Sequence, residues 1–135
     1  MSAGAKSVNI GVVGCGPHGC CLADRLKTID GVRITVGYDR DAAAAAAFAE
    51  TCSCAAAADF DALLDNEVDA VVIASPPLTH KDSTLRAIAA GKHVFCEKPM
   101  ALSMGDAERV INACERSGTR DSLLGPIIGW KITRW

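Results

Sequence analysis

Apolar positions along this chain alternate between short unbroken runs and longer stretches of helical spacing. The first run is Val8-Asn9-Ile10-Gly11-Val12-Val13, and it reads as a largely buried strand. From His18 to Ile29 the period changes, with Leu22, Leu26 and Ile29 on one helical face. Val32-Arg33-Ile34-Thr35-Val36 returns to the strand pattern. Asp41 then stands as a cap before Ala42 to Glu50, nearly all alanine and strongly helix-forming. A short strand is expected near Cys52 to Ala55, and a brief helix over Asp59 to Asn66 with Phe60, Leu63 and Leu64 inward. Asp69-Ala70-Val71-Val72-Ile73-Ala74 is a second buried-strand run, stopped by Ser75-Pro76-Pro77. Thr79, with Asp82 as its capping-box partner, opens a helix whose buried stripe is Leu85, Ile88 and Ala89 and whose stop is Gly91. His93-Val94-Phe95-Cys96 is the next strand. Ser103 with Asp106 repeats the capping signature ahead of Ala107, Val110, Ile111 and Cys114, and that helix is expected to stop at Gly118. Strand and helix alternate throughout, which predicts an α/β fold: a doubly wound parallel sheet with helices on both faces.

Ligands of such sheets bind beyond the carboxyl ends of the strands, where strand order reverses. Three strand exits therefore converge on one crevice. The first is Gly14-Cys15-Gly16-Pro17-His18-Gly19, a G-x-G-x-x-G loop between a strand and a helix. In a dinucleotide site Gly14 permits the tight turn, Gly16 lets the pyrophosphate approach the backbone, and Gly19 lets the helix pack close to the sheet. The helix N-terminus offers amides and partial positive charge to the phosphates. About 20 residues beyond Gly19, after the second strand, Asp39 stands where a carboxylate accepts the ribose hydroxyls. The other two exits are Ser75-Pro76-Pro77 and Glu97-Lys98-Pro99.

The 135 residues are half apolar and 22% charged, which fits one globular domain. Net charge is −2, and without a basic stripe nucleic acid and anionic membranes are not expected partners. Met1 to Ser7 lacks the apolar core of a signal peptide, and no apolar run approaches the roughly 18 residues of a membrane span. The expected compartment is the cytoplasm. Seven cysteines (Cys15, Cys20, Cys21, Cys52, Cys54, Cys96, Cys114) fit neither paired C-x-x-C spacing nor a zinc ligand set, so no metal is expected. Cys96 and Cys114 fall on core faces. Cys15, near the phosphates at a helix N-terminus, is where a thiol pKa tends to fall, but structural filler is the favoured reading.

The exits taken together, with Tyr38-Asp39-Arg40, Val68 to Ala74, Thr79-His80 and Ala90-Gly91-Lys92-His93-Val94-Phe95-Cys96-Glu97-Lys98-Pro99-Met100, are similar to a known family. They resemble the N-terminal domain of the glucose–fructose oxidoreductase, inositol dehydrogenase and MocA family. The run from Ala90 to Met100 is the specific part. The resemblance implies a Rossmann-type domain over residues 8–118 and an NAD(P)-dependent oxidoreductase acting on sugars, cyclitols or related hydroxy compounds. It implies that Lys98 is catalytic beside the nicotinamide, holding the substrate hydroxyl and steadying charge during hydride transfer. Glu97 is then expected to keep Lys98 charged and aimed, and Pro99 to fix the bend through a cis bond. Ser75 to Pro77, Pro76 included, are expected to contact ribose and pyrophosphate through the backbone, and His80 to lie on the nicotinamide side. Pro17 and His18 complete the cofactor loop. Asp39 favours NAD, because a carboxylate repels a 2′-phosphate; Arg40 can accept one or stack on adenine, so NADP stays open.

The family continues into a second α/β domain that covers the nicotinamide and shapes the substrate pocket, and this chain is expected to lack it. Residues 1–7 are expected to be a disordered lead-in. Residues 119–135 depart from the family pattern, with both tryptophans in the last six positions, which suggests a replaced, frameshifted or truncated ending. An exposed apolar tail favours self-association or a partner chain. Three readings stay open at this point. The chain is an oxidoreductase homologue needing a substrate domain from elsewhere, a non-catalytic dinucleotide-binding module, or an unproductive truncated product.

Overall fold

The computed structural model describes residues 6–117. Its strands β1 (Val8–Val13), β2 (Val32–Tyr38), β3 (Ala55–Ala56), β4 (Ala70–Ile73) and β5 (His93–Cys96) form one sheet in the order β3-β2-β1-β4-β5. Every neighbouring pair is parallel. The helices are α1 (Pro17–Leu26), α2 (Ala42–Cys52), α3 (Phe60–Asp65), α4 (His80–Ala89) and α5 (Met104–Arg116). The chain builds outward from β1 through β2 to β3, then crosses back to lay β4 on the other side of β1. Strand order therefore reverses between β1 and β4, the place where such a sheet opens a crevice. This is the Rossmann-type doubly wound arrangement that the alternation predicts.

Both faces of the sheet are covered, because consecutive residues of each central strand enter different cores. Val13, Val71 and Ile73 join Phe60, Leu63, Ile88, Val94 and Val110 in one. Val12 and Val72 join Ile10, Ala23 and Phe48 in the other. Burying each such side chain contributes about 1.5–3 kcal/mol. In β2 the pairing slips between Ile10 and Gly11, leaving Thr35 without a partner. That bulge sends Ile34 to one face and Val36 to the other, against simple alternation.

Two helices differ from their expected form. α1 ends at Leu26, and Ile29 is half exposed in the turn that follows, so only Leu22 and Leu26 of the expected stripe pack on the core. α4 begins at His80 because Pro77–Thr79 makes a separate 3₁₀ turn, and the Thr79 side chain caps nothing. Its buried face is His80, Thr84, Ala87 and Ile88, whereas Ala89 is exposed. The face runs at i, i+4, i+7 and i+8, but its first two members are polar, so a stripe drawn through large apolar residues lies rotated from it. The strand expected near Cys52 to Ala55 starts only at Ala55, because Cys52 still belongs to α2 and Ser53 ends that helix in a left-handed conformation, whereas the caps follow expectation. Asp41 accepts from the Ala43 amide at 3.0 Å, Ser103 from the Asp106 amide at 3.1 Å, and Gly91 ends α4 with φ +75°. Among the described residues no helix is long and apolar enough to cross a membrane. The expected stop at Gly118 and the atypical residues 119–135 lie outside the described residues.

Candidate functional site

The crevice between β1 and β4 is built first by the glycine loop. Gly14 turns out of β1 with φ +94°, and its amide donates to the Tyr38 carbonyl at 2.8 Å. A Cβ there would stand 2.5 Å from the Ser75 nitrogen, so the loop already touches the β4 exit. A Cβ on Gly19 would stand 1.8 Å from the Gly14 carbonyl oxygen, which is why α1 sits so close. Gly16 differs: nothing lies within 4 Å of its Cβ direction. Packing within the chain therefore accounts for Gly14 and Gly19 but not for Gly16, which borders open space at the N-terminus of α1. That helix has no side-chain cap and no acid in its first turn. By contrast α2, α3 and α5 are each closed by a side chain, from Asp41, Asp59 and Ser103. The amides and partial positive charge of α1 are thus left for an anion, and the residues fit a dinucleotide diphosphate. Pro17 at the first helical position supplies its fixed φ and no amide.

Asp39 joins β2 to this loop. Its Oδ2 accepts from the Cys15 amide at 2.8 Å and its Oδ1 from the Asp41 amide at 2.8 Å. An ionised carboxylate has about four acceptor directions, so two bonds fix its orientation and leave capacity for hydroxyl donors. Arg40 beside it is exposed and makes no ion pair among the described residues. Cys15 takes the favoured of its two readings, structural filler. Burial, and then the Asp39 carboxylate, push its thiol up to about 12, and the side chain packs with Ile10 and Phe48 instead of facing the helix N-terminus. A dipole lowers a thiol pKa only where the sulfur meets it in solvent or polar surroundings.

The β4–β5 rim is organised by short polar links. Thr79 Oγ1 donates to the Pro76 carbonyl at 2.7 Å, so the Ser75 hydroxyl, 2.6 Å away, donates to Thr79. His80 is 1% exposed. Its Nε2 lies 2.6 Å from the Ser75 carbonyl oxygen and its Nδ1 lies 2.7 Å from that of Pro99. Both ring nitrogens are engaged with backbone. Lys98 is exposed, makes no ion pair among the described residues, and precedes a cis bond to Pro99. Glu97 is not its partner. The Glu97 carboxylate is buried and pairs with His18 Nε2 at 2.8 Å, tying the β5 exit to α1 instead. His18, more than half exposed, joins α1 to the acid of the β5 exit, while Lys98 next to it in sequence is exposed.

The structure thus brings Gly14, Gly16, Pro17, His18, Gly19, Asp39, Arg40, Ser75, Pro76, Glu97 and Lys98 to one end of the sheet, with His80 buried against the Ser75 and Pro99 carbonyls. Sequence reasoning missed the hydroxyl of Thr79. Its signal was present, since a Ser four residues before a Thr around two prolines favours a side-chain-closed turn. It also missed the His18–Glu97 pair, which joins residues far apart in the chain and has no local signature.

A parallel sheet with a glycine loop, an uncapped first helix and an acid after the second strand defines a dinucleotide-binding domain. Residues 8–123 match the model of an oxidoreductase family with an NAD-binding Rossmann fold, the GFO_IDH_MocA family, and the chain belongs to it. It is 41% identical over 111 residues to an uncharacterized oxidoreductase of Streptococcus pneumoniae, covering 82% of this chain and 30% of that protein. It is 41% identical over 118 residues to an inositol 2-dehydrogenase of Saccharopolyspora erythraea, covering 83% of this chain and 34% of that one. A 2,7-anhydro-N-acetylneuraminate hydratase of Escherichia coli is 38% identical over 82% of this chain and 30% of its own. Among solved structures, GenD2 from gentamicin A biosynthesis, in complex with NAD, superposes with a TM-score of 0.81 at 31% identity, covering 84% of this chain and 33% of that one. KijD10, a 3-ketoreductase from Actinomadura kijaniata in complex with NADP, gives 0.79 at 29%, covering 84% and 35%. This chain spans about a third of the length of these relatives.

Proposed function

We propose that the crevice binds NAD(H) and that Lys98 is the residue this chain contributes to hydride transfer on a sugar, cyclitol or related hydroxy compound. Gly16 carries the proposal: its Cβ direction is open beside a helix N-terminus without a side-chain cap, which leaves room and amide donors for a diphosphate. In this reading the loop amides and α1 hold the diphosphate. Asp39, held by two amides, accepts the adenosine ribose hydroxyls and disfavours a 2′-phosphate, which makes NAD the expected cofactor over NADP. The backbone of Ser75 and Pro76 lines the path between diphosphate and nicotinamide. Bound nicotinamide supplies the hydride acceptor or donor. The Lys98 ammonium, exposed and without an ion-pair partner among the described residues, is free to donate to a substrate oxygen and to offset negative charge developing there.

Because the chain covers a third of its relatives, turnover is proposed for the oxidoreductase as a whole, and the segment described here is tested by binding. Calorimetric titration with NADH and NADPH is expected to show NADH bound more tightly, with Arg40→Ala leaving that order intact. A folded sample that binds neither cofactor would falsify the proposal, and tighter NADPH binding would reverse the cofactor assignment. Comparison of wild type with Lys98→Ala on a polyol panel, in a preparation that turns over, is expected to show loss of rate at retained NADH affinity.

A further inference from the structure

Building on the dinucleotide reading above, we infer that His80 is a positioning residue whose imidazole ties the β4 exit to the β5 exit and, through Pro99, holds Lys98 at the crevice. His80 is the first residue of α4 and its side chain is 1% exposed. A buried imidazole is costly unless its polar atoms are bonded, and here both lie within hydrogen-bond distance of an acceptor. The two acceptors are backbone carbonyls from different segments, Ser75 after β4 and Pro99 after β5, at 2.6 Å and 2.7 Å. A carbonyl only accepts, so the ring makes both bonds together only when each nitrogen carries a proton. With one proton it donates to one exit and leaves the other unlinked.

Lys98 lies between two anchors. On its N-terminal side the Glu97 amide donates to the Ile73 carbonyl at 2.9 Å, and the Glu97 carboxylate is taken by His18 at 2.8 Å. On its C-terminal side the Pro99 carbonyl is taken by His80. The peptide is fixed at both flanks while the ammonium between them makes no ion pair among the described residues. Such an arrangement removes backbone freedom from a long flexible side chain, the kind of support that precise placement of a reacting group requires. A histidine serving merely as filler needs no second acceptor from a separate segment.

The test separates the two ends of the cofactor. NADH and ADP-ribose, which lacks the nicotinamide, are titrated into wild type and His80→Phe, which keeps ring volume but has no donor. Loss of the link frees the Ser75 and Pro76 backbone that lines the path to the nicotinamide, and is expected to weaken NADH about three- to tenfold, the worth of one or two hydrogen bonds, while ADP-ribose stays within about twofold. An unchanged ratio of the two affinities in folded His80→Phe overturns the inference. If His80→Phe does not fold, His80→Asn, too short to reach both exits, is read by the same ratio with the same two outcomes. Wild type that binds neither ligand overturns the dinucleotide reading itself. Wild type that binds both, with a ratio indifferent to residue 80, overturns only the role of His80.

Discussion

The two rims of the crevice solve opposite problems. On the β1–β2 rim the chain leaves its binding chemistry unspent: an uncapped helix, a glycine facing empty space, and a carboxylate with two of about four acceptor directions used. On the β4–β5 rim nearly every polar group is already paired, Ser75 with Thr79, His80 with two carbonyls, and Glu97 with His18. Lys98 makes no ion pair among the described residues and stays out of that network. The difference teaches that a binding surface is recognisable by what intramolecular bonding omits. On the inference above, the paired groups around Lys98 are the support for that cation.

The sharpest break of this comparison is within the glycine loop. Gly19→Ala places a Cβ 1.8 Å from the Gly14 carbonyl oxygen, and backbone on backbone cannot give way without moving α1. A loss of about 3 kcal/mol is expected, a large part of a small domain's stability, visible as a lower urea midpoint. Gly16→Ala meets nothing within 4 Å, so stability is expected to change by no more than about 0.5 kcal/mol while NADH affinity falls at least tenfold. Equal losses of stability in the two variants would remove the distinction between a glycine for packing and a glycine for a ligand.

Next in size is Asp39→Ala. It strips the acceptor from the Cys15 and Asp41 amides together and is expected to cost about 1–3 kcal/mol, with NADH affinity reduced at least tenfold. If affinity fell but the urea midpoint held, the carboxylate would serve only the ligand, and its bonds to the loop would contribute nothing measurable.

These two rims also differ in how far the chain spells them out. The strand–helix alternation, the caps at Asp41 and Ser103, the glycine loop and Asp39 are local patterns with local causes, and the structure places them as the spacing predicts. The β4–β5 rim is built from contacts across 19 residues (His80 to Pro99) and from His18 to Glu97, and no periodicity encodes those pairings. α4 shows the same limit. Its inner face begins with His80 and Thr84, polar residues that an apolar stripe passes over. The expected Glu97–Lys98 partnership fails for a related reason, since adjacent residues in an extended segment point to opposite sides and Glu97 meets α1 instead.

A smaller effect tests how dry the floor of the β1–β2 rim is. Burial and Asp39 raise the Cys15 thiol from 9.0 to about 12. A group whose folded pKa exceeds its unfolded value stabilises the fold fully below the unfolded pKa, and that contribution is lost as pH rises through the folded pKa. Stability is therefore expected to be flat up to about pH 9 and to decline above it, as the unfolded chain releases protons that the folded one keeps. Cys54 and Cys96, both raised to about 11, add slopes of the same sign. Cys15→Ala should make the decline between pH 9 and 11 shallower in thermal melts. An identical slope in wild type and variant would mean the thiol is open to water, and with it the floor of the loop.

The smallest effect on stability is expected at the residue proposed to meet the substrate. Lys98 is exposed and makes no ion pair among the described residues, so Lys98→Ala removes nothing that holds the fold, and a change within about 0.5 kcal/mol is expected. His80→Phe, linked to the same segment through the Pro99 carbonyl, deletes the buried bonding between imidazole and backbone and should lower the melting temperature clearly. The order of those two variants follows from the support scheme: the residues that place the ammonium carry the stability, and the ammonium carries none. Were Lys98→Ala the more damaging in a melt, Lys98 would be part of the network around it, and the β4–β5 rim would be a structural corner with no residue reserved for a substrate.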